Sequence, residues 1–168
     1  MKNLKTLLLI AVFTLGVAGV SNAQKVGHID FEKLVAEMPQ TKTLKSNMEK
    51  LAKTYQDDIE GMGKKIEATQ KKYMAESQSQ TNQVNEARAK ELQTEAGKLD
   101  QLRKTAYQDM QNRQNAGLQP IIETAQKAIE EVAAAKGILY VLDASMGKGL
   151  LVKKGEDIYS AVKTKLGF

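Results

Sequence analysis

From Thr41 to Leu118 the chain holds no proline, and Gln, Lys, Glu, Ala and Met dominate, all strong helix formers. Apolar residues return at Leu44, Met48, Leu51, Tyr55, Ile59, Met62, Ile66 and Tyr73, with Thr69 filling the missing beat. Steps of three and four are the seam of a coiled coil, and two consecutive fours around Tyr55 and Ile59 read as a stutter that locally unwinds the supercoil. The pattern lapses over Ser77 to Gln83. It resumes more weakly at Val84, Ala87, Leu92, Ala96, Leu99, Leu102, Ala106 and Met110. Two seams around a polar patch predict an antiparallel helical hairpin, each arm about 35 residues and roughly 50 Å long at 1.5 Å per residue. The alternative is one unbroken helix. The hairpin is preferred because Ser, Thr and Asn compete with the helical backbone for hydrogen bonds and make this stretch the cheapest place to turn. Gly61 and Gly63 interrupt the first arm, and a flexible joint or an inconsequential weak spot both fit them.

The segments outside the hairpin read differently. Lys2 and Lys5 precede an apolar run from Leu7 to Val20, and Ser21-Asn22-Ala23 supplies small residues before Gln24. This is the pattern of a cleaved secretory signal peptide over residues 1–23. The chain holds no cysteine, so an exported form has no disulfide to stabilise it and no acylated cysteine to anchor it. Cleavage removes two of 25 basic residues and none of the 20 acidic ones, leaving a formal charge of +3 in place of +5.

Lys25 to Phe31 alternates, with Val26, His28 and Asp30 on one parity and Ile29 and Phe31 on the other, which predicts a short strand. A helical turn or two follows to Pro39, and Thr41 is a plausible N-cap for the long helix. Gly117 to Pro120 should end the second arm, since a proline suits the first turn of a new helix or kinks an old one, and Ile121, Ile122, Ala125, Ile129 and Val132 should then form an amphipathic helix that stops at Lys136-Gly137. Ile138, Leu139, Tyr140, Val141 and Leu142 make a continuous apolar strand, expected to be buried on both faces. After a turn at Gly147-Lys148-Gly149, Leu150 to Val152 reads as another strand, and Asp157 as the cap of a last helix carrying Ile158, Val162 and Leu166.

The fold class is therefore α+β and mostly α. Residues 41–118 form the coiled hairpin, and residues 24–40 and 119–168 together form a small α/β body. Val26, Ile29, Ile138, Leu139, Tyr140, Val141, Leu142, Leu150 and Val152 are the body's candidate joining residues. A hairpin buries only a stripe of each helix, and the remaining segments are too short to make a generous core, so the chain is expected to self-associate.

No catalytic constellation emerges, and no cofactor site. The lone His28 has no cysteine to join it in a metal site, and Gly147-Lys148-Gly149 lacks the spacing of a phosphate-binding loop. Nucleic acid is disfavoured by export and by the absence of a basic strip interleaved with aromatics. What remains is surface: Lys64, Lys65, Lys71, Lys72, Arg88 and Lys90 lie in the far half of the hairpin, close to Met62, Tyr73 and Met74. As a binding face these combine adaptable apolar contacts with long-range attraction for acidic chains. The bland alternatives are a solvated helix face and a hairpin seam.

The opening Lys25-Val26-Gly27-His28-Ile29-Asp30, the basic coiled hairpin, the stretch Gly137 to Ser145 and the closing helix from Asp157 together resemble the Skp/OmpH family of periplasmic chaperones. The resemblance implies a homotrimer whose short strands build a central body and whose three hairpins enclose a cavity. Unfolded outer-membrane proteins are held there without ATP. It leaves room for a peripheral contact with membrane lipid or lipopolysaccharide. The competing reading is an exported coiled-coil scaffold that links envelope components.

Overall fold

A computed structural model describes residues 25–168; the expected signal peptide, residues 1–23, lies outside them. Strand β1 (Lys25–Ile29) leads into helix α1 (Phe31–Glu37), then α2 (Pro39–Glu76), a 3₁₀ turn at Ser77–Ser79, α3 (Asn82–Lys136), β2 (Ile138–Asp143), β3 (Glu156–Asp157) and α4 (Tyr159–Leu166). The mostly helical α+β architecture and the antiparallel hairpin are those the residue pattern predicts.

The hairpin turns in the Ser/Gln/Asn patch. Ser77 and Ser79 hydroxyls donate to the Met74 and Glu76 carbonyls at 2.8 Å each, which draws the chain out of α2. Thr81 caps α3 by accepting from the Val84 N–H at 3.3 Å, and Asn85 reaches back to the Ser77 carbonyl at 2.9 Å. The first helix begins earlier than expected. Pro39 occupies its first position, where a missing N–H costs nothing, and Thr41 instead donates its hydroxyl to the Val35 carbonyl.

The boundary expected at Gly117–Pro120 is absent: α3 runs through Pro120 for 55 residues. The reason is phase. Leu99, Ala106, Ile121, Ala125, Ala128 and Val132 are its buried stripe, and Met110 and Gly117 continue the same beat between them. The face that pairs with α2 thus becomes, one turn later, the face that packs on the body. Burial on both sides of Pro120 outweighs the hydrogen bond its ring removes. Gly117 permits the close approach at this level, since a Cβ there would lie 2.5 Å from Leu44 Cδ1.

The sheet is parallel throughout, in the order β2-β1-β3. Leu34, Met38, Ile158 and Val162 are fully buried, and Ile29, Ala125 and Ile138 complete the body core. Asp30 caps α1 at 2.9 Å from the Lys33 N–H, and Gly137 closes α3 at φ 65°. The last helix starts one residue later than expected: Ile158 is its N-cap and Asp157 lies before it in β3, although Asp157 still accepts the Tyr159 N–H at 2.8 Å.

Two strand expectations are corrected. Leu150 to Val152 is not a strand. Gly147 and Gly149, both at φ 83°, turn the chain, and it meets β1 only at Gly155, where a Cβ would sit 2.5 Å from the Val26 carbonyl oxygen. The place beside β1 goes to Glu156 and Asp157. Nor is β2 covered on both faces: Ile138 is buried, but Leu139, Tyr140 and Leu142 are 63%, 60% and 43% exposed. As an edge strand of a three-stranded sheet, β2 has helices against one face only. No helix among the described residues is long and apolar enough to cross a membrane.

Candidate functional site

The first arm follows its predicted seam. Leu44, Met48, Leu51, Tyr55, Ile59, Met62, Ile66, Thr69 and Tyr73 are all half-buried, while the residues between them are largely exposed. The return arm does not follow the apolar list. Val84, Ala87 and Ala96 are exposed, and Asn85, Arg88, Leu92, Glu95, Leu99, Leu102 and Ala106 face inward. That row steps three and four without a break, so a reading that admitted polar seam residues finds it. Sequence reasoning missed Asn85, Glu95 and Asp109 by following only apolar residues along the return arm.

Beyond the turn itself, three side-chain to side-chain contacts cross the hairpin, and they share one register. The Tyr55 hydroxyl donates to Asp109 Oδ2 at 2.9 Å, the Tyr73 hydroxyl to Glu91 Oε2 at 2.8 Å, and Arg88 Nη2 to Glu76 Oε2 at 2.6 Å. Eighteen residues up one arm match eighteen down the other between the first two. Arg88 also lies over the Tyr73 ring, its Cζ 4.4 Å from the centroid. The carboxylate partners push both tyrosine hydroxyls upward from the ordinary phenol range. Asp109 is held below the usual carboxylate range, first by Arg113 and then by Tyr55.

The nine residues singled out on the far arm thus divide. Met62 lies half-buried in the seam, and Tyr73 and Arg88 are bound into the cross-arm contacts just described. Lys64 is paired with Glu60, whose hydrogen bond raises its pKa, and Lys71 is paired with Glu67 at 2.6 Å. Lys65, Lys72 and Lys90 are exposed, and among the described residues no carboxylate lies within ion-pair distance of them. Met74 is 69% exposed beside them, and Tyr107 and Val84 extend the apolar surface along the return arm.

A second surface belongs to the body. Of ten large apolar side chains exposed among the described residues, seven lie there: Val26, Leu139, Tyr140, Leu142, Met146, Leu151 and Val152. Of the body residues expected to join copies, Ile29 and Ile138 are instead core, Val141 and Leu150 are half-buried, and the other five face solvent. Charge is divided too. Residues 41–118 carry fourteen basic and eleven acidic side chains, whereas the body from Lys25 is balanced. The geometry offers contact surfaces, and among the described residues no three His, Asp or Glu side chains converge as metal ligands would.

Compared with known proteins, residues 25–166 match the family described as outer membrane protein (OmpH-like). No curated protein matches the chain.

Proposed function

Because the chain belongs to the OmpH-like family, a family of periplasmic chaperones for outer-membrane proteins, we propose that it is an ATP-independent holdase that keeps unfolded outer-membrane proteins soluble until they are delivered. The observation that carries this reading is the division of the molecule into two kinds of surface. The body carries most of the exposed large apolar side chains, and the hairpin presents scattered apolar residues among unpaired lysines. The first suits permanent self-association, the second weak and repeated contact with an extended chain.

On this reading residues 1–23 are a cleaved leader, residues 24–40 and 119–168 form the body, and residues 41–118 form the projecting arm. Three copies join through their bodies, and the arms surround the client. Met74, Lys65, Lys72 and Lys90 are the contact residues favoured on the far arm, with Met62, Lys64, Lys71, Tyr73 and Arg88 shaping the rods that carry them. The test is to dilute a denatured outer-membrane β-barrel protein into buffer with and without residues 24–168 and follow turbidity, while measuring the mass of the assembly in solution. Suppressed turbidity with a three-chain mass is expected. A scaffold would leave turbidity unchanged and would bind one folded envelope partner.

A further inference from the structure

Near the base of the hairpin a groove of about 370 Å³ opens on one side of the paired helices, lined by Leu44, Met48 and Ala52 of α2 and by Met110 and Leu118 of α3. Gly117 lets Leu44 lie against the backbone of α3, and Ala52, one turn beyond Met48, adds only a methyl group to the wall. Two methionines in such a wall adapt to side chains of different shape. A second cavity lies on the opposite side at the level of Leu44, but polar Gln40, Thr43, Asn47 and Thr124 interrupt its wall.

Helical phase carries the apolar side up the arm. Tyr107, Met110, Gln114 and Leu118 step by three and four, so they share one face of α3, and Tyr107 is 66% exposed there. From Leu118 to Tyr107 the rise is about 16 Å at 1.5 Å per residue. An extended chain covers that length in about five residues, about three of which point to the same side. Charge accompanies the groove. Lys45 stands in its wall beside a single acidic residue, Glu49, and Lys104 lies one turn from Tyr107. Among the described residues neither lysine has a carboxylate within ion-pair distance.

We propose that this groove seats an apolar side chain of an unfolded outer-membrane β-strand, with Tyr107 packing on a second one two or four residues along; the inference rests on the holdase function proposed above and names the segments it takes up. Strands of outer-membrane barrels alternate apolar with polar residues and carry aromatic girdles. Laid along the arm, such a segment turns its apolar parity into the groove and against Tyr107. Its polar parity stays at the rim, where Lys45 and Lys104 complement acidic side chains. The arm thereby selects alternation in its client, and not apolar content alone.

The chain has no cysteine, so Ala52→Cys gives a single attachment point for an environment-sensitive dye in the groove. Thr54→Cys gives another on the far side of the same helix. A denatured outer-membrane β-barrel protein added to residues 24–168 should shift the first dye to the blue and leave the second unchanged. A short peptide alternating Phe with Ser and Glu should bind more tightly than one of the same composition with its Phe residues contiguous. Ala52→Phe and Gln114→Phe, each filling the groove from one helix, should weaken the alternating peptide about tenfold, the worth of burying one large apolar side chain. Circular dichroism and the mass of the assembly should not change. Equal shifts of the two dyes, equal binding of the two peptides, or full affinity in both folded variants overturns the seat. A smaller assembly in both variants gives the groove to a second copy of the chain and overturns the client as its occupant. A wild type that leaves the denatured barrel protein unbound overturns the holdase reading itself.

Discussion

Asp109 accepts from Arg113 Nε at 2.7 Å along its own helix and from the Tyr55 hydroxyl at 2.9 Å across the hairpin. Its depressed carboxyl stabilises the folded arm fully above the ordinary carboxylate range, and that contribution is lost as pH falls through the lowered folded value. Acid should therefore loosen the arms at this level. Spin labels at Gln56 and Gln108 should report a broader distance distribution at about pH 2 than at about pH 6, and Tyr55→Phe should be broad at both. Tyr159 makes the opposite case. Burial, with the Glu37 carboxylate beside it, pushes its hydroxyl up to about 12. A raised folded value means stability that is complete below the ordinary phenol range and lost as pH rises toward the folded one. Glu37 also pairs with Lys163 at 2.7 Å, and the Tyr159 hydroxyl itself is buried without a hydrogen-bond partner of good geometry. Thermal melts of the wild type should fall between about pH 10 and about pH 12, a fall that Tyr159→Phe should reduce.

At the level of elements, the four helical glycines of the hairpin are not alike. Around Gly61, Gly63 and Gly97 a Cβ would meet nothing within 4 Å, whereas at Gly117 it would collide with Leu44. Alanine at Gly61 and Gly63 should each stabilise the helix by about 1 kcal/mol, raising the melting temperature and narrowing arm motion seen by spin labels. At Gly117 the same propensity gain is offset by about 1 kcal/mol for a displaced Leu44 rotamer, so melting should hardly change. If the paired glycines are a working joint, the stiffened arm should also lose clients of unusual size. An unchanged client range assigns them no such role. The same elements show what a sequence discloses. The first arm was legible because its seam is apolar at nearly every beat, from Leu44 to Tyr73. The return arm was not, because Arg88 and Glu95 occupy seam positions, Arg88 held by Glu76 from the other arm and Glu95 by Lys98 three residues on. Pro120 misled because a local rule was set against a burial stripe that continues from Gly117 to Ile121. Leu150 to Val152 misled because strand propensity does not specify a neighbour, and the close approach at Gly155 gives that place to Glu156 and Asp157.

For the whole molecule, the proposed function raises the question of how much of client capture would be electrostatic. The net charge of residues 25–168 is small, and it lies on the hairpin. Much of that charge is already spoken for, since Lys53, Lys64, Lys71, Lys98, Arg103 and Arg113 each pair with a carboxylate three or four residues away. Such pairs are largely neutral from a distance and are screened further by salt. Lys65, Lys72 and Lys90 in the far half, and Lys42, Lys45, Lys50 and Lys104 nearer the body, are left to act on an approaching acidic segment. Replacing Lys65, Lys72 and Lys90 with glutamine should slow client association more than replacing Lys64, Lys71 and Lys98, although both triple variants remove three positive charges. Stopped-flow fluorescence with a labelled unfolded porin separates the two, and equal slowing would show that net charge alone governs encounter. Raising salt from about 0.05 M to about 0.5 M should slow association severalfold yet leave most of the affinity, because screening acts chiefly on the approach of charges and apolar contacts such as Met74 and Tyr107 are untouched by it. Complete loss of the complex at the higher salt would make the hairpin an electrostatic trap, and the exposed methionine and tyrosine on its arms would then need another explanation.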